Sequence, residues 1–257
     1  MKPMQKLLLI NPNTSASVTE LLRHHVQRAA GAQVQVQAVT ARFGAPYIAD
    51  EASYAVAAHA VLDAWADALA QPDEGPDAVL IGCFGDPGLL ALRDSSPAPV
   101  TGLAEGAFNE AARYGRFAIV TGGAKWEPML HRLAHALGHV DSLAGVQTVA
   151  PTGAQLAADP DAARALLLQA CRDAAQRFDA QAVILGGAGL AGMAEQLQGD
   201  LDVPLVDSVI AGASWALRAP ASRPARTSPG FDVGWVNLSP ALTVLGQRHA
   251  SPGDIDD

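Results

Sequence analysis

Short runs of Leu, Ile, Val and Ala, each ended by turn residues, alternate along this chain with longer stretches of helical spacing. The runs are Lys6–Ile10 before NPNTS, Val34–Val39, Ala78–Ile81 before GCFGDPG, Phe117–Val120 before TGG, Ala182–Leu185 before GGAGLAG, and Pro204–Val206 before DSV. Short and rich in Leu, Ile and Val, they predict buried parallel strands. Helical spacing predicts helices over Ser17–Ala29, Ala52–Ala70, Pro128–Leu137, Asp161–Phe178 and Val209–Arg218. Strand, glycine-rich turn and helix in repetition is an α/β pattern with a mainly parallel sheet. In such sheets ligands collect at the carboxyl ends of the strands, so the residues just after each strand are the informative ones.

The pattern also repeats. Asp77–Arg113 can be laid against Gln181–Arg218, and Arg116–Gly123 resembles Lys6–Asn13. The fold expected is therefore α/β with two similar lobes related by a pseudo-twofold, each a mainly parallel sheet flanked by helices. The first lobe takes residues 1–114 plus about 208–218, and the second takes 115–207. A pseudo-twofold would set the two glycine turns facing each other across a cleft that holds the active site. Residues 219–257 form a C-terminal extension: Arg218–Gly230 is dense in Pro, Ser, Ala and Arg and reads as a linker. The apolar stretch FDVGWVNLSPALTVLG after it is expected to dock on the domain or on a partner subunit, and the polar tail to be disordered.

Composition narrows the partners. Of 257 residues, 49% are hydrophobic and only 5% aromatic, so a sizeable core must be built mostly from Ala, Leu and Val. Lys and Arg number 17 against 26 Asp and Glu, a net charge of −9 with no basic stripe. That argues against nucleic acid and against an anionic membrane surface, while leaving room for a small anion held by backbone N–H groups. Two cysteines, Cys83 and Cys171, support neither a disulfide framework nor a structural zinc site. No apolar run approaches the roughly 18 residues of a membrane span. KLLLI is too short for a signal-peptide core. The expected setting is soluble, reducing and cytoplasmic.

Several positions carry possible chemistry. Cys83 follows a buried strand and precedes a helix, where a thiol near the helix N-terminus would have a lowered pKa; the alternative is a small buried hydrophobe. Cys171 sits in an amphipathic helical pattern and reads as packing. Asn11–Ser15 offers amides, hydroxyls and free N–H groups, and equally a helix N-cap at Thr14 or Ser15. Thr121–Gly123 is its counterpart in the second half. His131, His135 and His139 recur every four residues, but no acidic or Cys ligand joins them at matching spacing, and a solvated helix face is the favoured reading. Gly186–Gly192 contains a G-x-G-like element but lacks the strand-end acid that would follow it in a dinucleotide-binding βαβ unit, and no Walker A, GxSxG or HExxH sequence occurs.

Taken together, INPNTS at the first strand, Gly44–Ile48 (GAPYI), IGCFGDPGL and ILGGAGLAGM resemble the Asp/Glu/hydantoin racemase superfamily, most closely its hydantoin and allantoin racemase branch. The resemblance runs over most of residues 5–215. It implies two α/β lobes around a cleft and a pair of cysteines, one per lobe, flanking the substrate's α-carbon, with neither pyridoxal phosphate nor metal. The first catalytic cysteine maps onto Cys83. The second would fall in Leu185-Gly186-Gly187-Ala188-Gly189, where Gly187 takes its place; the internal repeat independently sets Cys83 against Gly187. The substrate-binding residues implied are Asn13, Thr14, Pro46, Tyr47, Phe84, Gly85, Asp86, Thr121, Gly122, Gly123, Gly187, Ala188 and Gly189. Removal of an α-proton needs a base on one face, and inversion needs a donor on the other; each lost partner typically costs about 10²–10⁴-fold. The expected activity is cofactor-independent racemase-type chemistry on a small hydantoin-like substrate, with homo-oligomeric assembly. Two alternatives stand beside it: a single-cysteine decarboxylase or lyase resembling arylmalonate decarboxylases, whose retained cysteine lies in the other lobe, and a non-catalytic small-molecule binder.

Overall fold

A computed structural model describes residues 4–70, 75–150, 160–218 and 235–247. Two four-stranded sheets carry the fold, and every strand pair in them is parallel. The first comprises β1 (Gln5–Asn11), β2 (Val34–Thr40), β3 (Ala78–Ile81) and β4 (Val100–Gly102), in the order β2-β1-β3-β4. The second comprises β5 (Phe117–Gly122), β6 (Leu143–Val149), β7 (Ala182–Gly186) and β8 (Leu205–Asp207), in the order β6-β5-β7-β8. The two orders are the same permutation, so the sequence repeat is a repeat of topology. Around them lie α1 (Ala16–Ala30), α2 (Glu51–Leu69), α3 (Leu89–Ser95), α4 (Leu103–Ala111), α5 (Trp126–Ala136), α6 (Pro160–Arg177), α7 (Met193–Leu197), α8 (Ser208–Arg218) and α9 (Pro240–Gln247).

Alternation within each strand explains the continuous apolar runs. Leu7 and Leu9 of β1 face Leu22 and Val26 of α1, while Leu8 and Ile10 face Val61 and Trp65 of α2. In the second sheet Phe117 and Ile119 turn to the same core as Leu7, whereas Ala118 and Val120 turn to α6. One apolar core is thus shared by the facing sides of both sheets, and each outer face has its own. Cys171 is fully buried in the outer core of the second sheet, as helix packing requires.

The helices α4 and α8, which follow the last strand of each sheet, join the lobes. They cross where Gly106 meets Gly212, and a Cβ on Gly106 would stand 2.6 Å from the Gly212 Cα. From that crossing α8 packs on β3 and β4, and α4 reaches β7 and β8. Phe108 of α4 stacks on Phe117 of β5 at 5.5 Å between centroids.

Differences from the sequence reading are local. β6 was not expected: Gly145, Gln147 and Thr148 interrupt its apolar character, and it lies at a sheet edge. The ring of Phe178 fills the space beside Gly145. The helix expected over Pro128–Leu137 starts two residues earlier, at Trp126, leaving Pro128 in its first turn. Ser15, not Thr14, caps α1 and accepts the Val18 N–H at 3.4 Å. The histidine stripe dissolves because His139 lies beyond α5, its ring packed edge-on against Phe108 and Phe117. Among the described residues no group of three His, Cys, Asp or Glu could hold a metal ion. Of the C-terminal stretch, α9 packs on α2 with Leu242 fully buried; the linker and the tail lie outside the described residues. No described helix is long and apolar enough to cross a membrane.

Candidate active site

The carboxyl ends of β1, β3, β5 and β7 converge on a cavity of about 470 Å³ between the two sheets. From the first lobe come Asn13 after β1, Pro46, Tyr47 and Ile48 after β2, and Gly82, Cys83 and Phe84 after β3. Helix α1 adds Val18 and Leu21, with Ser15 and Ser17 at its start. The second lobe contributes Thr121 and Gly122 of β5, Trp126 of α5, and Gly186, Gly187, Ala188 and Gly189 from the end of β7. None of these side chains is charged. The walls therefore offer hydroxyls, amides, one thiol and apolar surface, and no charged side chain to pair with an ionic group.

Close contacts shape the space. Phe84 presses against Gly186 from across the cleft, so closely that a Cβ there would sit 2.2 Å from the ring. Tyr47 closes the opposite side, its hydroxyl donating to the Gly122 carbonyl at 3.4 Å. The Tyr54 hydroxyl donates to the Gly85 carbonyl at 2.9 Å, tying α2 to the turn that carries Cys83. Two ion pairs link α2 to the α5 region outside the cavity: Arg132 with Glu51, and Lys125 with Asp50.

The environment of Cys83 differs from the sequence expectation. The next helix, α3, begins only at Leu89, so Cys83 is not in the first turn of the helix that follows its strand. Burial pushes the thiol pKa up, and the neighbouring Asp86 carboxyl adds to that shift. The resting side chain is a thiol, a proton donor rather than a ready base.

Gly187 stands on the second lobe with φ +148 and ψ 134, a backbone conformation that L residues rarely adopt. Its N–H donates to Ser208 Oγ at 3.2 Å. The space beside it is otherwise open: a Cβ would make only ordinary contacts with Leu190 at 3.5 Å.

Four residues expected at the substrate do not line the cavity. Asp86 is buried and turned away, accepting the Ala104 and Glu105 N–H groups at 2.9 and 2.7 Å and so capping α4. Its carboxyl fills the place where a Cβ on Gly102 would stand. Burial raises its pKa to about 7, against the lowering effect of those two N–H groups. Gly85 packs under Trp126, and Gly123 has its N–H on the Val149 carbonyl. The Thr14 N–H is bonded to the Ala45 carbonyl at 3.1 Å. Conversely, the helix residues Trp126, Val18 and Leu21 line the cavity without having been singled out, and Ile48 does so as the last residue of the Gly44–Ile48 motif. The strand-end rule does not reach helix residues, although a Trp soon after the TGG turn of an aromatic-poor chain was a usable hint.

Comparisons with known proteins agree on one relationship. The family model described as Asp/Glu/Hydantoin racemase matches residues 7–216. A hydantoin racemase of Pseudomonas sp. (strain NS671) is 32% identical over 212 residues, which is 82% of this chain and 84% of that protein. An allantoin racemase from Klebsiella pneumoniae has a similar structure, with a TM-score of 0.78 and 32% identity over 83% of this chain and 86% of its own. That of Pseudomonas fluorescens gives a TM-score of 0.78 at 28% identity, covering 83% and 89%.

Proposed function

The chain belongs to the Asp/Glu/hydantoin racemase family, and from that premise we propose that it acts on 5-substituted hydantoins, exchanging the C5 proton through Cys83. The observation that carries this reading is the uncharged cavity wall. A hydantoin is a neutral cyclic ureide whose oxygens and N–H groups need hydrogen bonds and no counter-ion. A free amino acid or a malonate would bring carboxylates into a site without a cation to meet them, at a desolvation cost. The apolar side chains of Val18, Leu21, Ile48 and Trp126 suit the ring's C5 substituent.

Abstraction of the C5 proton leaves an enolate whose negative charge rests on the oxygen of the adjacent C4 carbonyl. Donors fixed in advance lower that barrier. The Phe84, Ala188 and Gly189 N–H groups border the cavity and have no acceptor among the described residues. The Gly187 N–H is already engaged by Ser208. Cys83, held as a thiol, first gives its proton to water; as thiolate it removes the C5 proton from its own face, and the thiol so formed, after exchange with solvent, returns a proton to that same face of the enolate. Gly187 supplies neither acid nor base to the other face, so inversion there depends on water and is slower by about 10²–10⁴ than with two positioned groups.

One experiment separates the outcomes. Single enantiomers of 5-substituted hydantoins are incubated with the protein in D₂O, and optical rotation and α-proton NMR are followed together, with Cys83→Ala as control. Deuterium uptake that outruns loss of rotation and vanishes in Cys83→Ala is the expected result. Loss of rotation keeping pace with deuterium uptake would mean that a second group serves the Gly187 face. Silence toward every hydantoin would defeat the substrate assignment and direct the same assay to malonates, with CO₂ release as its readout.

A further inference from the structure

Asn11 ends β1 wholly buried, and Asn13, two residues on, is 7% exposed where the turn meets the cavity. A carboxamide can present either its oxygen or its N–H₂ to a site, with opposite consequences for what binds. Backbone N–H groups decide between the two, because they can only donate. The Ser15 N–H lies 2.9 Å from one terminal atom of Asn13, which is therefore Oδ1. The Asn13 N–H likewise identifies Asn11 Oδ1, at 3.2 Å. The other terminal atom of Asn11 must then donate. It does so to Asn13 Oδ1 at 3.0 Å, to Thr19 Oγ1 at 2.9 Å and to the Ser15 carbonyl at 3.1 Å. Thr19 Oγ1 is anchored in turn to Thr40 Oγ1 of β2 at 2.6 Å. Asn13 Oδ1 thus has both lone pairs engaged on the wall side. Its Nδ2 has no acceptor among the described residues.

We propose that Asn11 is a positioning residue, holding the Asn13 carboxamide so that its N–H₂ group faces the cavity and binds a substrate oxygen. Resting on the hydantoin reading, this names the hydrogen-bond polarity of the β1 wall: it selects a carbonyl or enolate oxygen and disfavours a ring N–H. The sequence marks Asn11 only as part of the Asn11–Ser15 turn; it does not line the cavity and acts wholly through Asn13.

Two measurements test it. In isotope-labelled free protein, the through-hydrogen-bond coupling between the Ser15 amide nitrogen and Asn13 Cγ is expected in the wild type and lost in Asn11→Ala. If that variant does not fold, Asn11→Asp serves the same comparison in its ionised form, because the carboxylate keeps an oxygen that accepts the Asn13 N–H and replaces the donating group with a second acceptor. A coupling that persists undiminished without the Asn11 amide overturns the proposal. In the second measurement, Asn13→Asp keeps the wall-side oxygen and removes the cavity-side donor. It should lower kcat on the hydantoin about 10²–10³-fold, as loss of an oxyanion donor does, with the melting temperature retained. An unchanged kcat in Asn13→Asp overturns the proposal as well. Should the wild type leave every hydantoin untouched, the substrate reading fails while the coupling still decides the role of Asn11.

Discussion

At the scale of single residues, Cys83 and Gly187 are an unequal pair, and the inequality extends to the backbone. Gly187 has φ +148 with room beside it for a side chain. Gly187→Cys is therefore expected to be destabilised by about 1–3 kcal/mol and yet to racemise faster, because the second face gains an acid–base group; denaturant midpoints and rotation decay check both halves. A stable variant with no faster decay would show that the restored thiol does not reach C5. Asp86 makes a different prediction. Its pKa of about 7 in the fold exceeds the ordinary carboxylate value of 3.8, so the folded state holds this proton more tightly. Stability from this group is full below about pH 4 and is lost as pH rises through about 7, at on the order of 1.4 kcal/mol per unit of displacement. Denaturation of the wild type and Asp86→Asn across that range should show the wild type losing ground as pH rises. The opposite slope would mean that the two α4 N–H groups keep the carboxylate ionised. The sequence disclosed Cys83 and Gly187 because a repeat sets them against each other. It hid the capping role of Asp86 because the partners lie at 104 and 105, across a helix and a strand.

At the scale of elements, legibility followed the apolar pattern more than burial. Strands buried on both faces, such as Leu7–Ile10 and Phe117–Val120, were readable from unbroken apolar runs. The edge strand β2 was readable from Val34, Val36 and Val39 although Gln35 and Gln37 are exposed, whereas the edge strand β6, better buried, was not, since Gly145, Gln147 and Thr148 break its run. Nor does any apolar pattern announce the crossing of α4 and α8, which depends on absent side chains. There the Gly106 and Gly212 backbones meet, and neither can retreat without moving a helix that packs on a strand. Gly106→Val is thus expected to cost at least the 1–3 kcal/mol typical of overpacking, and about that range is a floor because the obstructing atoms are main chain. Thermal unfolding measures it. Loss of hydantoin exchange in a variant that still folds would add that the crossing also sets the spacing of the two cavity walls. A variant as stable as the wild type would show that the helices can part.

At the scale of the whole molecule, the charge lies outside and the cavity is neutral. A net charge of −9 surrounds walls that carry no charged side chain, and the ion pairs that link the lobes, Arg132 with Glu51, Lys125 with Asp50 and Arg28 with Glu195, are exposed. Exposed pairs of this kind contribute about 0–1 kcal/mol each and are screened by salt. A neutral ring entering the cleft meets no long-range repulsion, whereas a carboxylate approaches an acidic surface whose field fades beyond a Debye length of about 10 Å at 0.1 M salt. Ionic strength therefore distinguishes the substrate classes without any variant. For a 5-substituted hydantoin, kcat/KM should stay within about twofold as salt rises from about 0.02 to 0.5 M, since neither ligand nor wall carries charge to screen. For an anionic substrate it should climb over the same range as screening relieves repulsion. A hydantoin rate that falls steeply with salt would instead show that the exposed ion pairs hold the lobes in their working arrangement, making surface charge part of the site despite its distance from the reacting carbon.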